Sequence, residues 1–541
     1  MAIHIASLGK RFGAHALATC VALGVVVAAS PAGRAQTLTA IHDFCSQYDP
    51  ETDACIGGYY PQTGLVQAMD GNFYGTTGQG GPEGSGTIFK ITPDGRLTML
   101  YGFCYQYPVT DSCLDGITPE AGLVQATDGN FYGTTSGGGA NGGGTVFRIT
   151  PEGTLSTLYA FCLQGSLGTE CLDGAVPYGV LVQGSDGNLY GTTYTGGGAN
   201  GGTVFKITLG GGLTTLHSFN GTEGEAPYAG LVQATDGNFY GTTGGGGAYG
   251  DGTIFKITSQ GTLTTLYSFC AQSGCTDGAT PVGGLVEGSD GNFYGTTSSG
   301  GAAGLWYYGT VFRITPEGTL TTLYSFCSQY DPATGLCMDG IFPYAGLVRG
   351  SDGNFYGTTS NSITATEAYW LEAEFGGTVF KITPSGSLTT LYSFCLKPHV
   401  LCPDGNMPSA ALVQGTDGSF YGTTYQGGTN PLLCYSGEGC GTVFKLSTGL
   451  DAFVEPQPTF GPEGEPVIIL GNDLTGATSV SFNGTAARFS VASSTEIKTS
   501  VPRGARTGEV RVTTPSGTLT SNVPFRVTAC TAAPCILPMA Q

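Results

Sequence analysis

The feature that most constrains this chain is a short segment that occurs seven times along it. The segment reads Asp-Gly-Asn-Phe-Tyr-Gly-Thr-Thr or a near copy, at a spacing of roughly 50 to 65 residues. Such regular self-similarity indicates an array of equivalent structural units. The 93 glycines and 28 prolines among 541 residues favour short elements joined by turns over long helices. The copies begin at Asp70, Asp128, Asp186, Asp236, Asp290, Asp352 and Asp417.

Each repeat contains four segments with the sequence pattern of β-strands. In the second copy they read AGLVQA, NFYGTTS, GTVFRITP and GTLSTLYAF, and they are called strands a, b, c and d below. Strand d alternates with a period of two, as a half-buried strand should. Strand c is apolar on both faces, which is typical of a sheet that is covered on both sides. We therefore predict an all-β fold in which each repeat forms one four-stranded blade.

The order of the strands predicts how the array closes. A strand of type d, TLTAIHDFC, precedes the first strand a, and the seventh repeat ends after strand c at GTVFKLS. Pairing of residues 37–45 with the last repeat would close a ring and remove both open sheet edges. We predict a seven-bladed β-propeller over residues 36–448. A linear solenoid is the alternative, and it would leave the first strand without a partner.

Turn lengths separate the two ends of the predicted blades. The a-to-b and c-to-d turns are tight, whereas the b-to-c and d-to-a loops at the opposite end differ in length and sequence among the repeats. Asp-Gly-Asn between two apolar strands is typical of a hairpin turn, which favours a scaffolding role for the repeated segment. Function in such scaffolds resides where loops vary, so we expect binding on the variable face.

Cysteines indicate an oxidising compartment. Sixteen of the 17 cysteines fall into eight close pairs, and the fourth repeat lacks both members of its pair. Paired loss is expected of disulfides, so we predict eight local bonds. Metal binding is the alternative, but the spacing and the scarcity of nearby histidine do not match zinc sites. The pairs are Cys45 with Cys55, Cys104 with Cys113, Cys162 with Cys171, Cys270 with Cys275, Cys327 with Cys337, Cys395 with Cys402, Cys434 with Cys440, and Cys530 with Cys535.

The two ends of the chain lie outside the repeats. Residues 1–35 combine Lys10 and Arg11 with an apolar run and a small-residue cleavage sequence, which predicts a secretory signal. No later stretch is apolar enough to span a membrane. Residues 449–528 show short alternating strands, which indicate a small immunoglobulin-like β-sandwich, and residues 529–541 form a tail with the last predicted disulfide. A formal charge of −20 argues against nucleic acid as a partner.

Two resemblances agree with this organisation. The repeat LVQATDGNFYGTTSGGGANGGGTVFRITPEGTLSTLYAF resembles the GloVer (Gloeo/Verruco) tandem repeat of exported bacterial proteins, over roughly residues 36–448. The segment containing GNDLTGATSVSFNG and VPRGARTGEVRVTTPSG, residues 456–527, resembles an IPT/TIG domain with an immunoglobulin-like fold. The first resemblance implies a surface or secreted repeat protein and brings no catalytic residues with it. The second implies a spacer or a binding module.

An acidic residue recurs four positions before the proline that leads into strand a. We expect these acids on the variable face near the central channel, where a ring of carboxylates would hold Ca²⁺ or a basic group. The alternative is that each acid opens an Asp-Gly turn and caps its own backbone. Gly57 breaks the series in the first repeat. The six acids are Asp115, Asp173, Glu223, Asp277, Asp339 and Asp404.

Aromatic insertions in two adjacent repeats are a second candidate. GLWYYG and EAYWLEAEFGG place aromatic side chains on the variable face, where a sugar or a protein ligand would stack on them. A hydrophobic plug between loops is the alternative. Glu287 and Arg349 replace the glutamine that ends LVQ in the other repeats, either as ligand contacts or as an ion pair on the channel wall. The aromatic candidates are Trp306, Tyr307, Tyr308, Tyr369 and Trp370.

Two functions follow from these candidates. The first is an exported or cell-surface binding or structural protein, a monomer, that presents its variable face to a glycan or an extracellular protein. The second is an exported polysaccharide lyase or hydrolase, which would need two carboxylates about 5 to 10 Å apart. His42, His217 and His399 are too dispersed to predict a catalytic triad. We expect the first function, with no catalytic residue and calcium as the single candidate cofactor, in the periplasm, at the cell surface or secreted.

Overall fold

A computed structural model describes residues 36–46, 48–49, 54–104, 113–163, 171–302, 308–332, 336–363, 376–395, 402–429, 434 and 439–528. The described chain is almost entirely β-structure, with one short 3-10 turn at Ser273–Cys275. Within these residues the repeats form seven four-stranded antiparallel sheets, numbered here as sheets 1 to 7 in the order of their strands b. The all-β prediction and the four-stranded unit are therefore confirmed.

Strands a to d lie side by side in every sheet. Strand a is Val66–Gln67, Val124–Gln125, Val182–Gln183, Val232–Gln233, Val286–Glu287, Val348–Arg349 and Val413–Gln414. Strand b is Phe73–Thr77, Phe131–Thr135, Leu189–Thr193, Phe239–Thr243, Phe293–Thr297, Phe355–Thr359 and Phe420–Thr424. Strand c is Thr87–Ile91, Thr145–Ile149, Thr203–Ile207, Thr253–Ile257, Thr310–Ile314, Thr378–Ile382 and Thr442–Ser447. Strand d of sheets 1 to 6 is Leu97–Gly102, Leu155–Ala160, Leu213–Ser218, Leu263–Ser268, Leu320–Ser325 and Leu388–Ser393.

Sheet 7 takes its strand d from the other end of the repeat region. Thr37–Asp43 pairs antiparallel with Thr442–Ser447, from Thr37 opposite Ser447 to Asp43 opposite Thr442. Phe44 follows this strand, is buried, and packs edge-to-face on Phe89 of sheet 1 at a centroid distance of 5.3 Å. The first strand of the described chain is therefore both part of sheet 7 and a contact with sheet 1.

The repeated aromatic pair in strand b joins neighbouring sheets. Phe131 and Tyr132 are both fully buried and point to opposite faces. Phe131 stacks on Tyr74 of sheet 1 at 4.2 Å, whereas Tyr132 packs with Leu189 of sheet 3. Because each strand b makes the same two contacts, the apolar core is continuous from one sheet to the next. Sheet 7 contacts sheet 1 in the same way, through rings 4.1 Å apart in Phe73 and Tyr421.

Glycine and threonine complete strand b. A Cβ at Gly133 would lie 2.6 Å from Cζ of Phe147, so the position holds no side chain larger than hydrogen without rearrangement. The hydroxyl of Thr134 donates to the carbonyl of Pro177 in sheet 3 (3.2 Å). The hydroxyl of Thr135 shares a hydrogen bond with that of Thr145 in strand c (2.8 Å). The buried polar groups of the segment are thus satisfied within and between sheets.

The aspartate that opens the repeated segment holds its tight turn together. Asp236 accepts hydrogen bonds from the backbone N–H of Asn238 (2.9 Å) and from the hydroxyl of Tyr240 (2.9 Å). Lys256 of strand c forms an ion pair with the same carboxylate (2.7 Å). Gly237 has a φ of +83°, which favours glycine in this turn. The hydrogen bonds and the ion pair of Asp236 therefore stabilise the tight turn that precedes the buried strand b.

We expect the turn to lose stability in acid. Burial alone would raise the pKa of Asp236, but hydrogen bonds from Lys256, Asn238 and Tyr240 outweigh burial and lower the pKa to about 2. A carboxyl group with this shift stabilises the fold above its unfolded pKa of about 4, and the contribution disappears as the pH falls toward 2. Asp236→Asn should therefore be less stable than the parent at about pH 6 and close to it at about pH 2. Thermal unfolding at both pH values measures the difference. The exposed Asp473→Asn is the control, and an equal deficit at both pH values would contradict the expectation.

Seven disulfides lie among the described residues. They join the cysteine pairs from Cys45 with Cys55 to Cys434 with Cys440, in the grouping that the sequence analysis gives. Cys530 and Cys535 lie outside the described residues. Short additional strands accompany two of these loops: Tyr48–Asp49 pairs with Ala54–Cys55, and Leu336–Ile341 pairs with both Tyr330–Asp331 and Asn361–Ile363. The disulfides therefore constrain six d-to-a loops and one b-to-c loop.

The region after the repeats forms a small sandwich. One sheet contains Glu455–Gln457, Pro466–Leu470, Glu496–Ser500 and Phe489–Val491, and the other contains Thr485–Ala487, Ser479–Phe482, Val510–Thr514 and Gly517–Thr520. A parallel pair joins Phe460–Gly461 to Arg526–Val527. The inward residues form a buried cluster of its own, which includes Val467, Phe482 and Phe525. The sandwich also touches the tight turns: Asn472 donates to the hydroxyl of Thr416 in sheet 7 (3.0 Å), and Arg526 donates to the carbonyl of Ala234 in sheet 4 (3.2 Å).

Candidate functional site

The d-to-a connection enters strand a through a left-handed residue followed by proline. Thr118 has a φ of +55° before Pro119 and donates its N–H to Ser85 of the preceding sheet (2.9 Å). Its carbonyl accepts the N–H of Ser136, the first residue after strand b (3.1 Å). The proline fixes the next step of the chain, so the residue after it is presented beside Ser136. The equivalent left-handed residues are Tyr60, Val176, Ala226, Thr280, Phe342 and Met407.

Two residues of each sheet are therefore held side by side at the loop end of strands a and b. The backbone at these positions is nearly identical in all seven sheets, but the side chains differ. The residues after the prolines are Gln62, Glu120, Tyr178, Tyr228, Val282, Tyr344 and Ser409. The residues after strand b are Gly78, Ser136, Tyr194, Gly244, Ser298, Ser360 and Tyr425.

Five tyrosines at these positions form the tyrosine cluster, defined as Tyr178, Tyr194, Tyr228, Tyr344 and Tyr425. Tyr178 and Tyr228 stack with their ring centroids 4.7 Å apart. Tyr194 meets both of them edge-on, at 5.5 and 5.9 Å. The rings remain accessible, since Tyr194, Tyr228 and Tyr344 are 36%, 43% and 44% exposed. Sheets 3 and 4 thus supply three rings in mutual contact, whereas Tyr344 of sheet 6 and Tyr425 of sheet 7 occupy the equivalent positions of their own sheets.

Glu120 of sheet 2 is the acidic member of this site. Its carboxylate accepts a hydrogen bond from the Ser136 hydroxyl (3.0 Å), and burial raises its pKa although this bond opposes the effect. Burial, and after it the charge of Glu120, raise the pKa of Tyr178. Burial, the neighbouring Tyr178 and then Glu120 raise the pKa of Tyr228 to about 12. Burial, Tyr60 and Glu120 likewise raise the pKa of Tyr425. The carboxylate therefore influences tyrosines of three other sheets.

The site residues combine aromatic rings with hydroxyl groups and one carboxylate. Tyrosine combines a flat apolar ring with a hydroxyl that donates and accepts hydrogen bonds, so a cluster of tyrosines suits ligands that are both flat and polar. The 14 positions include one acid and no basic residue.

The six recurrent acids lie apart from the tyrosine cluster in the hydrogen-bond pattern. Asp277 is fully buried and accepts bonds from the hydroxyl of Tyr267 (2.8 Å) and the N–H of Ala271 (2.9 Å). Asp115, Asp173, Asp339 and Asp404 likewise accept a tyrosine hydroxyl from strand d of the preceding sheet, and Glu223 pairs with Nε2 of His217 at 2.9 Å. Among the described residues, no set of three close potential metal ligands includes any of the six. A calcium ion at these acids stays a prediction.

The predicted aromatic insertions fall largely outside the described residues. Trp306, Tyr307, Tyr369 and Trp370 lie there, as does His399. Tyr308 is described, and it packs beside the buried cluster of Cys327, Cys337 and Ile341. A ligand contact by the insertions stays a prediction, whereas Tyr308 contributes to packing.

Glutamines at the end of strand a link five pairs of neighbouring sheets at the tight-turn end. Oε1 of Gln125 accepts the N–H of Met69 in sheet 1 (3.0 Å). Oε1 of Gln67 accepts the N–H of Thr416 in sheet 7 (2.9 Å). Equivalent bonds pair Thr127 with Gln183, Ser185 with Gln233, and Ser351 with Gln414. We call this series the glutamine relay.

Glu287 and Arg349 occupy two positions of the relay. Glu287 keeps the link, because its carboxylate accepts both the N–H and the hydroxyl of Thr235. Arg349 has no acceptor atom and cannot form the link to sheet 5. Burial lowers the pKa of Arg349, and the charges of Asp290 and Glu287 oppose this shift. Within the described part of the chain no ion pair joins Glu287 to Arg349, so that predicted alternative is not observed.

The tyrosine cluster is the site that the sequence analysis missed. Its members are between 16 and 247 residues apart, so their proximity depends on the arrangement of sheets. A signal was nevertheless present. When the seven repeats are superposed in sequence, the position after the proline changes from Gln62 to Glu120 to Tyr178, while the neighbouring proline and strand a recur. A position whose residue varies among repeats while its neighbours recur is a surface position whose side chain is not determined by packing.

The family comparison matches this architecture. The model of the Gloeobacter/Verrucomicrobia repeat matches residues 3–171 and 166–363, and the model of the IPT/TIG domain matches residues 454–527. The chain therefore belongs to the family of Gloeobacter/Verrucomicrobia repeat proteins and carries a C-terminal IPT/TIG domain. The two resemblances noted from the sequence are confirmed. A search of curated proteins gave no match.

Solved structures show only distant similarity. A luciferin-regenerating enzyme is 10% identical, with 77% of this chain and 98% of that chain covered and a TM-score of 0.37. An auxiliary nutrient binding protein from Bacteroides thetaiotaomicron is 13% identical, with 76% of each chain covered and a TM-score of 0.36. Puromycin hydrolase is 12% identical, with 79% of this chain and 61% of that chain covered and a TM-score of 0.40. Scores at this level say nothing about what the present chain binds.

Proposed function

We propose that this protein is an exported glycan-binding protein whose seven sheets are the blades of a closed propeller. Three contacts between the last and first sheets support closure, because they repeat those between consecutive sheets. Thr423 donates to the carbonyl of Thr63 (3.1 Å), as Thr76 of sheet 1 does to the carbonyl of Ala121 at the equivalent position before sheet 2 (3.1 Å). Phe73 packs on Tyr421, and Gln67 accepts the N–H of Thr416. Closure also removes the exposed edges that a linear array of sheets would have.

The tyrosine cluster is the observation that carries the binding function. In a closed ring, strand a is the innermost strand, so the residues that precede it surround the mouth of the central channel. The charge of Glu120 acts on Tyr228 of sheet 4 and Tyr425 of sheet 7, which are not neighbours of sheet 2, and this supports the placement because non-adjacent sheets meet only near a common axis. Concave sites of this kind, with aromatic walls and a few polar groups, are typical of ligand binding.

A saccharide fits the chemistry of the mouth. The apolar C–H face of a pyranose stacks on an aromatic ring, while its hydroxyl groups need donors and acceptors around the edge. Accessible rings of Tyr194, Tyr228 and Tyr344 offer the stacking surface, and Glu120 and Ser136 offer hydrogen-bonding groups. The seven disulfides of the described chain support a location outside the cytoplasm. No helix among the described residues is both long and apolar enough to cross a membrane.

Tyr228→Ala tests this function directly. We expect it to weaken binding of any glycan that the parent protein recognises on an array by at least about tenfold, because a central aromatic contact contributes on the order of 1 to 2 kcal/mol or more. Tyr249→Ala is the matched control, since Tyr249 is 57% exposed and lies outside the cluster. Circular dichroism confirms that both variants fold. Failure of the folded parent to bind any glycan, or equal loss in both variants, would contradict the proposal.

A further inference from the structure

The charge at the site of the tyrosine cluster is negative. Glu120 is the one charged residue among the 14 positions after the prolines and after strands b. It is partly buried, and within the described chain the Ser136 hydroxyl is the one side chain that hydrogen-bonds its carboxylate. A carboxylate accommodates more donors than this single hydroxyl. The site therefore contains a negative charge with spare acceptor capacity.

The scaffold does not require this carboxylate. The equivalent residues in sheets 1, 5 and 7 are Gln62, Val282 and Ser409, and those three sheets have the same strands and the same turn before strand a. Removing a carboxylate from water costs free energy unless a partner offsets the cost. Glu120 is therefore a local addition to a site that would fold with a neutral residue.

The surroundings of the Glu120 carboxylate favour a positively charged group on the ligand. The faces of aromatic rings carry negative electrostatic potential, which attracts ammonium groups within about 6 Å. Tyr178, Tyr228 and Tyr425 lie near enough to the carboxylate for its charge to oppose ionisation of their hydroxyl groups. Because a carboxylate and several ring faces meet here, an acidic sugar would be repelled. A neutral sugar would leave the carboxylate without a compensating charge.

We infer that the saccharide held by the tyrosine cluster carries a free amino group, and that Glu120 pairs with its ammonium. This inference rests on the proposed glycan-binding function and specifies its ligand class as an amino sugar that is not N-acetylated. The pyranose ring stacks on the tyrosines, and the ammonium donates to the carboxylate oxygens. Charge-assisted hydrogen bonds of this kind are stronger than neutral ones and fix the orientation of the ligand.

Titration calorimetry with three tetrasaccharides tests the inference. The probes are the β-1,4-linked tetramers of glucosamine, of N-acetylglucosamine and of glucose, at about pH 6, where the glucosamine amine is substantially protonated. We expect the glucosamine tetramer to bind the parent protein at least about tenfold more tightly than the other two, and the preference to shrink at high salt. Glu120→Gln should remove the preference of the protein for the glucosamine tetramer over the other two tetramers.

Glu225→Gln is the matched control, because it removes the same charge from an exposed position in the equivalent loop of sheet 4. It should retain the preference for the amine. Equal affinity for the amino and N-acetylated tetramers would overturn the inference and leave glycan binding intact. A preference that survives in Glu120→Gln would also overturn it. Binding of a lysine-rich peptide without binding of any saccharide would overturn both the inference and the proposed function.

Discussion

A chain that begins at Phe44, without residues 36–43, is expected to lose its cooperative thermal unfolding transition. Those residues supply strand d of sheet 7, which pairs with Thr442–Ser447 from end to end. Without them, a buried strand c becomes an open edge, and open edges promote aggregation. The same deletion removes the covering strand from Val443 and Phe444, which are fully buried. We expect the truncated chain to be mainly insoluble or to bind hydrophobic dyes.

Differential scanning calorimetry of the parent and truncated chains measures this effect. A synthetic peptide of residues 36–43 should partly restore the transition when it is added to the truncated chain during refolding. Thr39→Ala is a control on the same strand, because Thr39 is exposed, and its transition should remain within about 2 °C of the parent. A truncated chain that unfolds at the parent temperature would show that the strand is dispensable.

Gly133→Val is expected to prevent folding of sheet 2 or to destabilise the protein by about 3 kcal/mol or more. A Cβ at this position would lie 2.6 Å from Cζ of Phe147 and 2.9 Å from Cδ2 of Leu123, and the two methyl groups of valine need still more room. Both neighbours are buried and cannot move into solvent. Overpacking of a close-packed core is destabilising because few voids exist to accept the added volume.

Urea unfolding measures the free energy for this variant. Gly129→Asn is the control in the same repeat, because a Cβ at Gly129 has no neighbour within 4 Å. Asparagine also tolerates the positive φ of +83° at that position better than most residues. We expect Gly129→Asn to cost about 1 kcal/mol or less. Similar losses in both variants would mean that backbone conformation, and not the contact with Phe147, determines the requirement for glycine.

Much of the fold could be predicted because the sequence of each repeat contains the local patterns that define its strands and turns. The period of two in strand d, the Asp-Gly turn and the buried pair of Phe131 and Tyr132 are local patterns, and seven copies reduce ambiguity in any one of them. Even the pairing of the first strand with sheet 7 could be anticipated from counting strands. The contacts that join sheets were less visible. The hydrogen bond from Thr134 to Pro177, for example, depends on how neighbouring sheets pack and not on either sequence alone.

The candidate site was harder to predict than the fold. The prominent sequence features were rare residues, such as the two tryptophans, and recurrent acids. Asp277 proved to be used by the scaffold itself, because it is buried and accepts bonds from Tyr267 and Ala271. The tyrosine cluster uses a common residue, since the chain has 28 tyrosines. Nothing in the sequence distinguishes Tyr228 from other loop tyrosines, because its stacking on Tyr178 is a contact between sheets.

In the proposed closed ring, the glutamine relay predicts which pair of neighbouring sheets separates first. Sheets 7 and 1 contain the two ends of the repeat region, so the contact between them would be expected to break first. Yet Gln67 bonds to Thr416 there, and the sandwich contacts Thr416 from outside. Between sheets 5 and 6 Arg349 cannot accept the corresponding bond, and its charge is held in a partly desolvated place. In the proposed ring we therefore expect the weakest contact between neighbouring sheets to lie between sheets 5 and 6, inside a continuous stretch of sequence and away from the chain ends.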